Sequence, residues 1–169
     1  MSRGLGDVYK RQFNECDIVA LCRNVIDMVE KIKQTQAEVR FSTSLSSLKL
    51  TTDSARLQQV LINLLINATK FTAQGTITLE LVKQTEDTAL FSVSDTGCGI
   101  SKENQNKIFN RFEKLDENAQ GTGLGLSICQ LIIEQLGGKI WIDPDYDKGA
   151  RFLFTHPICH AQIKKEETR

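Results

Sequence analysis

Apolar residues recur every three or four positions along two stretches of the chain. The first stretch predicts an amphipathic helix over about residues 17–34. The second follows Asp53, a residue type that commonly caps helix N-termini. Its apolar stripe consists of Leu57, Val60, Leu61, Leu64, Leu65 and Ala68. Each helix therefore has one face suited to a hydrophobic core.

Alternating apolar and polar residues predict strands in other parts of the chain. The clearest alternation covers residues 76–82 and 89–94. Further helices are expected over 102–112 and 122–136, and residues 113–120 read as a polar loop. Shorter predicted strands cover residues 38–45, 49–51, 139–142 and 150–155. This mixture of helices and hairpins favours an α/β (α+β) sandwich with helices on one face of the sheet over a doubly wound sheet.

Composition excludes several classes of protein. A chain of 169 residues can bury roughly 70% of its unfolded surface. The 21 basic and 21 acidic residues balance, which argues against nucleic-acid binding through a basic surface. Five cysteines without a C-x-x-C spacing indicate reduced thiols. No apolar run approaches the ~20 residues of a membrane span. A cytoplasmic domain is expected, which leaves open a membrane anchor elsewhere in a longer protein.

Three segments are distinguished along the chain. Residues 1–12 carry three basic residues and one acidic residue, and they are interpreted as either a linker or a non-native segment. Residues 13–158 form the expected domain. Residues 159–169 are a charged tail.

Polar residues share one face of the second helix. Gln59, Asn63, Asn67 and Lys70 are spaced by four, four and three residues, which places them side by side. A solvated surface is the ordinary interpretation. Asparagine is a mediocre helix former, however, and its side-chain oxygen suits Mg²⁺, while lysine can neutralise phosphate. Both interpretations stay open from this pattern alone.

Two glycine-rich segments are candidates for ligand binding. Asp95 ends a predicted strand and precedes Gly97 and Gly99, which permit close approach of a ligand to the backbone. Its carboxylate can accept a hydrogen bond from an exocyclic amine, although an ordinary tight turn is an equal alternative. The segment 121–126 opens a helix, where exposed N–H groups favour phosphate. Its interleaved leucines argue against a flexible linker.

The order of these features resembles that of sensor histidine kinases. Residues 53–72 resemble the asparagine box, 95–99 the first glycine box, 108–112 the phenylalanine box and 121–126 the second glycine box. The resemblance extends over about residues 13–157. It implies the Bergerat-type ATP-binding fold shared with gyrase, heat-shock chaperones and mismatch-repair proteins. That fold is a two-layer sandwich of a mixed, mostly antiparallel sheet and three helices, with a mobile lid.

The resemblance also implies a role for each matching residue. Asn67 would coordinate Mg²⁺, Lys70 would contact phosphate, and Asp95 would bind the adenine amine. Arg111 is a candidate for contact with the γ-phosphate, whereas Ile100, Phe109 and Phe112 are expected to pack. The ATP-binding set implied in this way is Asn63, Asn67, Lys70, Asp95, Gly97, Gly99, Ile100, Arg111, Gly121, Thr122, Gly123, Leu124, Gly125 and Leu126.

Asn63 separates the kinases from their hydrolysing relatives. Those relatives carry a glutamate one helical turn before the metal-binding asparagine, and an amide cannot act as a general base. The resemblance therefore implies transfer of the γ-phosphoryl group from Mg-ATP to a histidine on a separate dimerisation domain, with a response regulator as an indirect partner. The isolated domain is expected to be monomeric, without nucleic-acid or membrane contacts. A superfamily ATP hydrolase, an anti-sigma-type serine kinase and a non-catalytic nucleotide-binding module remain alternatives.

Neither histidine is expected to accept the phosphoryl group. His156 and His160 lie in or after the last predicted strand, without a helical acceptor motif. The domain alone is therefore not expected to autophosphorylate. Two departures from the family pattern are a short lid at residues 113–120 and Ala150, which stands where a serine or threonine is common.

Overall fold

The computed structural model describes residues 13–105, 107–109 and 124–158. Within these residues the chain forms seven strands and four helices. In chain order they are β1 (Asn14–Asp17), α1 (Ile18–Ile32), β2 (Glu38–Thr43), β3 (Lys49–Thr52), α2 (Ser54–Phe71), β4 (Thr76–Thr85), β5 (Thr88–Asp95), α3 (Lys102–Gln105), α4 (Leu124–Gln135), β6 (Ile140–Ile142) and β7 (Arg151–Pro157).

Five strands form one mixed sheet in the order β2-β4-β5-β7-β6. Strands β2 and β4 are parallel, and the remaining neighbours are antiparallel. At the centre, Phe91 of β5 pairs with Phe154 of β7, and their rings stack with centroids 4.5 Å apart. The predicted sandwich with a mixed, mostly antiparallel sheet is confirmed, including the terminal hairpin of β6 and β7.

The long helices α1, α2 and α4 and the sheet share one hydrophobic core. The predicted apolar stripe of α2 is buried throughout, from Leu57 to Ala68. On β4, Ile77, Leu79 and Leu81 are fully buried, while the residues between them are only partly covered. This alternation shows that one sheet face packs against the helices. None of the helices in the described ranges combines the length and hydropathy needed to cross a bilayer.

Side-chain caps fix where the first two helices begin. The Asp53 carboxylate accepts a hydrogen bond from the backbone N–H of Arg56 at 3.3 Å, which confirms its predicted role as the N-cap of α2. Asp17 caps α1 by accepting from Val19 at 3.1 Å, and the same oxygen accepts from Leu48. These bonds satisfy helix N–H groups that lack partners within the helix.

The structure departs from the predicted elements in two places. Strand β1 was not predicted, because its four residues show no apolar alternation, and it pairs with β3 in a separate two-stranded sheet. The predicted helix over 102–112 is wrong as far as it is described, because α3 ends at Gln105 and residues 107–109 form a turn. In that turn Ile108 is buried in the core.

His156 connects the two sheets. It lies on β7 with 1% of its surface exposed, and its Nε2 is 2.8 Å from the hydroxyl of Thr52 on β3. Its Nδ1 is 2.8 Å from the carbonyl oxygen of Pro157, which can only accept, so Nδ1 carries the proton and Nε2 accepts from Thr52. Burial lowers the pKa of His156, which favours the neutral ring. His160 lies outside the described residues.

Candidate functional site

Asp95, at the end of β5, is held by backbone groups from two directions. Only 4% of its surface is exposed. Its Oδ1 accepts hydrogen bonds from the N–H of Gly97 at 2.9 Å and from the N–H of Ala150 at 3.2 Å. Its own carbonyl oxygen accepts from the Tyr146 hydroxyl at 3.2 Å. Both of these backbone donors reach Oδ1, and within the described residues no hydrogen bond of acceptable geometry reaches Oδ2, which makes Oδ2 the candidate acceptor for a ligand.

Burial raises the pKa of the Asp95 carboxyl above its ordinary value, because desolvation disfavours the charge. The hydrogen bonds from Gly97 and Ala150 oppose this shift by stabilising the carboxylate. The nearby Thr72 hydroxyl acts in the same direction, but it is buried and makes no hydrogen bond of acceptable geometry. The N–H groups of Gly97 and Ala150, and not the Thr72 hydroxyl, are therefore the groups that stabilise the Asp95 carboxylate through hydrogen bonds of acceptable geometry.

Two glycines allow this close packing because they lack a Cβ atom. A Cβ on Gly97 would lie 2.1 Å from the carbonyl oxygen of Phe71 at the end of α2. A Cβ on Gly149 would lie 2.1 Å from the carbonyl oxygen of Asp95 and 2.6 Å from its Oδ1. The N–H of Cys98 also donates to Phe71 at 3.2 Å. The loop after β5 is thus fixed between α2 and the residues before β7.

A small cleft adjoins Asp95, and the free space in and around its mouth, including open solvent, amounts to about 350 Å³. It lies among α2, the loop after β5, the start of α4 and the start of β7. Asp95 and Asn67 bring polar groups to an otherwise mainly apolar lining, as is usual in sites for planar ligands with a polar edge. The lining residues are Leu64, Asn67, Ala68, Phe71, Asp95, Gly99, Ile100, Leu126, Ala150 and Phe152.

The polar face of α2 reaches this cleft in part. Asn67 lines it, half-buried, and Lys70 lies exposed in the last turn of the same helix. Asn63, one turn earlier, is directed towards α4, where its Nδ2 donates to Cys129 Sγ at 3.8 Å. The structure therefore brings Asn67 and Asp95 to one cleft and places Asn63 at the contact between two helices.

The glycine-rich segment before α4 is only partly described. Arg111, Gly121, Thr122 and Gly123 lie outside the described residues, as do Phe112 and the predicted lid. Leu124 and Gly125 are the first two residues of α4. The next residue, Leu126, is buried and lines the cleft. Phe109 packs edge-on against Phe152 with centroids 6.2 Å apart, as its predicted packing role requires.

Several cleft residues were not predicted as part of the site. Leu64 and Ala68 belong to the predicted apolar stripe of α2, and their position beside Asn67 on the same helix is a usable signal. Phe71 follows Lys70 directly, and its aromatic ring was a second signal. Gly149 and Ala150 reach Asp95 only through pairing of β5 with β7, since the N–H of Asp95 donates to Ala150 at 2.9 Å. No local pattern reveals such a contact.

The side chains present fit a nucleotide with its metal ion. An apolar slot beside an acceptor suits an adenine ring with its exocyclic amine. The described residues contain no group of three or more His, Cys, Asp or Glu side chains that could hold a cation. Asn67 offers one oxygen, which suits Mg²⁺ because this ion takes most of its ligands from phosphates and water.

Comparison with known proteins identifies the family. The family model for histidine kinase-, DNA gyrase B- and HSP90-like ATPases matches residues 52–159, more than half of the chain. The adaptive-response sensory kinase SasA of Synechococcus sp. (strain CC9311) is 41% identical over 123 residues, which are 70% of this chain and 32% of that kinase. The chain spans about a third of the length of the curated relatives it matches.

Solved structures agree with this assignment. The catalytic domain of histidine kinase ThkA has a TM-score of 0.77 at 37% identity, covering 87% of this chain and 96% of that domain. ThkA has also been solved in complex with the response regulator protein TrrA. Full-length ShkA in complex with AMPPNP has a TM-score of 0.81 at 29% identity, covering 90% of this chain and 32% of ShkA. The chain thus belongs to the histidine kinase-, DNA gyrase B- and HSP90-like ATPase family, as the ATP-binding catalytic domain of a sensor histidine kinase.

Proposed function

We propose that this domain binds Mg-ATP in the cleft and donates the γ-phosphoryl group to a histidine on a separate dimerisation and phosphoacceptor domain. The observation that carries the proposal is the placement of Asp95 and Asn67 on one cleft, with Oδ2 of Asp95 left for a ligand. The adenine amine donates to this oxygen. The apolar side chains of Ile100 and Phe152 contact the ring.

The phosphates extend from the adenine towards the polar face of α2. Asn67 ligates Mg²⁺ through its side-chain oxygen, and the exposed ammonium of Lys70 neutralises phosphate charge. Mg²⁺ held there would supply neutralisation of the charge on the phosphate oxygens. The resemblance to the second glycine box supports a role for Gly121, Gly123 and Gly125 in binding phosphate through their backbone N–H groups. The resemblance of residues 108–112 to the phenylalanine box supports a contact of Arg111 with the γ-phosphate.

The described residues offer positioning and charge neutralisation, and the position one turn before Asn67 on α2 carries an amide where a general base would need to stand. Asn63 occupies the position where a hydrolase would need a carboxylate, and its amide nitrogen donates to Cys129. The nucleophile therefore comes from another domain. His156 does not serve as the phosphoryl acceptor, because it is buried and both of its ring nitrogens are hydrogen-bonded within the fold.

Because this domain binds the nucleotide and another domain supplies the nucleophile, the reaction requires protein partners. The acceptor histidine lies on the dimerisation domain of the same kinase, and a response regulator takes the phosphoryl group afterwards. The complex of ThkA with TrrA supports the second step, since ThkA is similar to this chain. We place the functional domain at residues 13–158, as a monomer in the cytoplasm without contacts to nucleic acid or membrane.

Labelled ATP tests the proposed reaction. The chain alone, incubated with Mg²⁺ and γ-labelled ATP, should acquire no acid-labile phosphate. Addition of the histidine-bearing dimerisation domain of its kinase should yield acid-labile label on that domain only. Steady release of inorganic phosphate without the acceptor would indicate a hydrolase instead, and acid-stable label on a protein partner would indicate a serine kinase. Absence of ATP binding at millimolar nucleotide would contradict the proposal altogether.

A further inference from the structure

Cys129 makes two contacts across the interface between α4 and α2. Its side chain is fully buried on α4. The sulfur lies 3.8 Å from Nδ2 of Asn63 and 4.0 Å from the carbonyl oxygen of Val60, both on α2. Val60 and Asn63 lie about one turn apart on the same face of α2. The thiol of Cys129 therefore contacts both a backbone carbonyl and a side-chain amide of the helix that carries Asn67.

The two contacts together determine how the Asn63 amide is turned. A backbone carbonyl only accepts hydrogen bonds, so the S–H group of Cys129 donates to Val60. The sulfur lone pairs then face Asn63. They can accept a hydrogen bond from its amide N–H group but not from its carbonyl oxygen, which carries no proton. The Oδ1 end of Asn63 must therefore point away from Cys129.

The thiol keeps its proton under ordinary conditions. Burial raises the pKa of Cys129 to about 12, although the hydrogen bond from Asn63 acts in the opposite direction. Because the thiol stays protonated, its S–H group remains available as the donor to Val60. The orientation of Asn63 is thus not expected to change between pH 6 and pH 9.

We infer that Cys129 is a positioning residue of the nucleotide site, which fixes Asn63 so that an oxygen acceptor is presented on the face shared with Asn67. This inference rests on the proposed function. An oxygen at this position suits Mg²⁺ or its water ligands, whereas an amide N–H would suit phosphate oxygens. Cys129 therefore favours nucleotide that carries its metal ion over nucleotide without it.

Cys22 provides a matched control. It is also a fully buried free thiol on a core helix, α1, and burial raises the pKa of Cys22 to about 12 as well. Asn63 donates to Cys129 rather than to this thiol. Truncation of either cysteine to alanine removes one sulfur atom from the same core. Only the change at Cys129 removes the partner of Asn63.

Calorimetric titration of the whole chain tests the inference with three probes: Mg-ATP, ATP with a chelator, and adenosine. We expect Cys129→Ala to weaken Mg-ATP binding about three- to tenfold, the range of one hydrogen bond, and to change adenosine binding little. Cys22→Ala should leave all three affinities unchanged. Cys129→Ser, which retains a donor and an acceptor, should recover part of the loss. Cys129→Ala should add no further loss to that of Asn63→Ala, because Cys129 acts only through Asn63.

The outcomes separate the inference from the proposed function. Equal losses for adenosine and Mg-ATP, or equal affinities of Cys129→Ala and Cys22→Ala, would overturn the positioning role while ATP binding stands. A wild-type chain that binds no nucleotide would overturn both. If Cys129→Ala does not fold, the comparison passes to Cys129→Ser and Asn63→Ala. Unchanged Mg-ATP affinity in Asn63→Ala would then reject the inference.

Discussion

Asp95 and Asn67 line one cleft, but they are held there by different kinds of contact. Asp95 is fixed by backbone N–H groups of Gly97 and Ala150, which come from two separate parts of the chain. Asn67 is placed by the periodicity of α2, and Lys70 follows it in the last turn of the same helix. The Asp95 end is thus a product of the tertiary fold, whereas the other end is a surface of one helix. Changes at the first should affect recognition and folding together, and changes at the second should affect affinity alone.

The largest expected effect is that of Asp95→Asn. An asparagine oxygen can still accept from Gly97 and Ala150, so the loop should remain in place. The amide NH₂ would then replace Oδ2 and face the adenine amine, donor against donor. We expect adenosine and ATP to bind about 10- to 100-fold more weakly, as for loss of a hydrogen bond to a charged group. Calorimetric titration with adenosine measures this.

Asn63→Ala is the control for this change, and it should weaken adenosine binding less. Equal adenosine affinities for the two variants would show that Asp95 does not bind the nucleobase.

The next effect is that of Gly149→Ala, which tests the close packing around Asp95. The added Cβ would meet the Asp95 carbonyl oxygen at 2.1 Å. We expect the free energy of unfolding to fall by about 1–3 kcal/mol, as for overpacking of a tight site, and nucleotide affinity to fall with it. Denaturant unfolding and calorimetry measure the two quantities.

Gly138→Ala is the control that separates a general loss of stability through steric overlap from a specific loss of nucleotide binding. Its Cβ would meet the Thr155 carbonyl oxygen at 1.9 Å, outside the cleft. It should lower stability to a similar extent and leave affinity unchanged. Equal adenosine affinities of Gly149→Ala and Gly138→Ala would show that Gly149 does not contribute to the nucleotide site.

A smaller effect concerns His156, which acts on the fold rather than on the cleft. Because burial lowers the pKa of His156 below its ordinary value of 6.5, the folded state binds fewer protons than the unfolded state. The contribution to stability is present above about pH 6.5 and is lost as the pH falls towards the folded pKa, by at most about 1.4 kcal/mol per pH unit. Urea unfolding at about pH 7.5 and about pH 5.5 measures the loss.

His156→Gln serves as the reference, because glutamine does not titrate. Its unfolding free energy should change less over this range, and its nucleotide affinity should match that of the wild type. An identical pH dependence in both proteins would rule out His156 as the titrating group.

The smallest effect is expected at Lys70, because an exposed ammonium is screened by solvent. Lys70→Ala should weaken ATP binding about two- to fivefold and leave adenosine binding unchanged. Titrations at low and high salt should show the difference shrinking as salt rises. A loss that is equal for adenosine would mean that the variant disturbs α2 itself.

Sequence reasoning worked best where the relevant pattern is local. The helical period gave both the buried stripe of α2 and the polar face with Asn63, Asn67 and Lys70. The Asp53 cap and the strands around Asp95 were also predicted within a few residues. These features depend on neighbours in the chain, so composition and spacing contain the information.

The remaining features depend on contacts between distant residues. Ala150 reaches Asp95 through the register of β5 and β7, and Cys129 meets Asn63 through packing of two helices. Strand β1 has no apolar period and forms by pairing with β3. Likewise α3 ends at Gln105, and Ile108 in the turn at residues 107–109 is buried in the core. These contacts and element ends depend on the free energy of the whole fold, so local sequence patterns do not predict them.

Amide chemical shifts test most directly the claim that one cleft binds ATP with adenine at Asp95 and phosphates at Asn67. In ¹⁵N spectra, adenosine should shift the backbone amides of Gly97 and Ala150 with one common dissociation constant. The side-chain NH₂ signal of Asn67 should move only when Mg-ATP replaces adenosine. Adenosine shifts that spare both backbone amides, or that cluster on the opposite face of the sheet, would contradict the account.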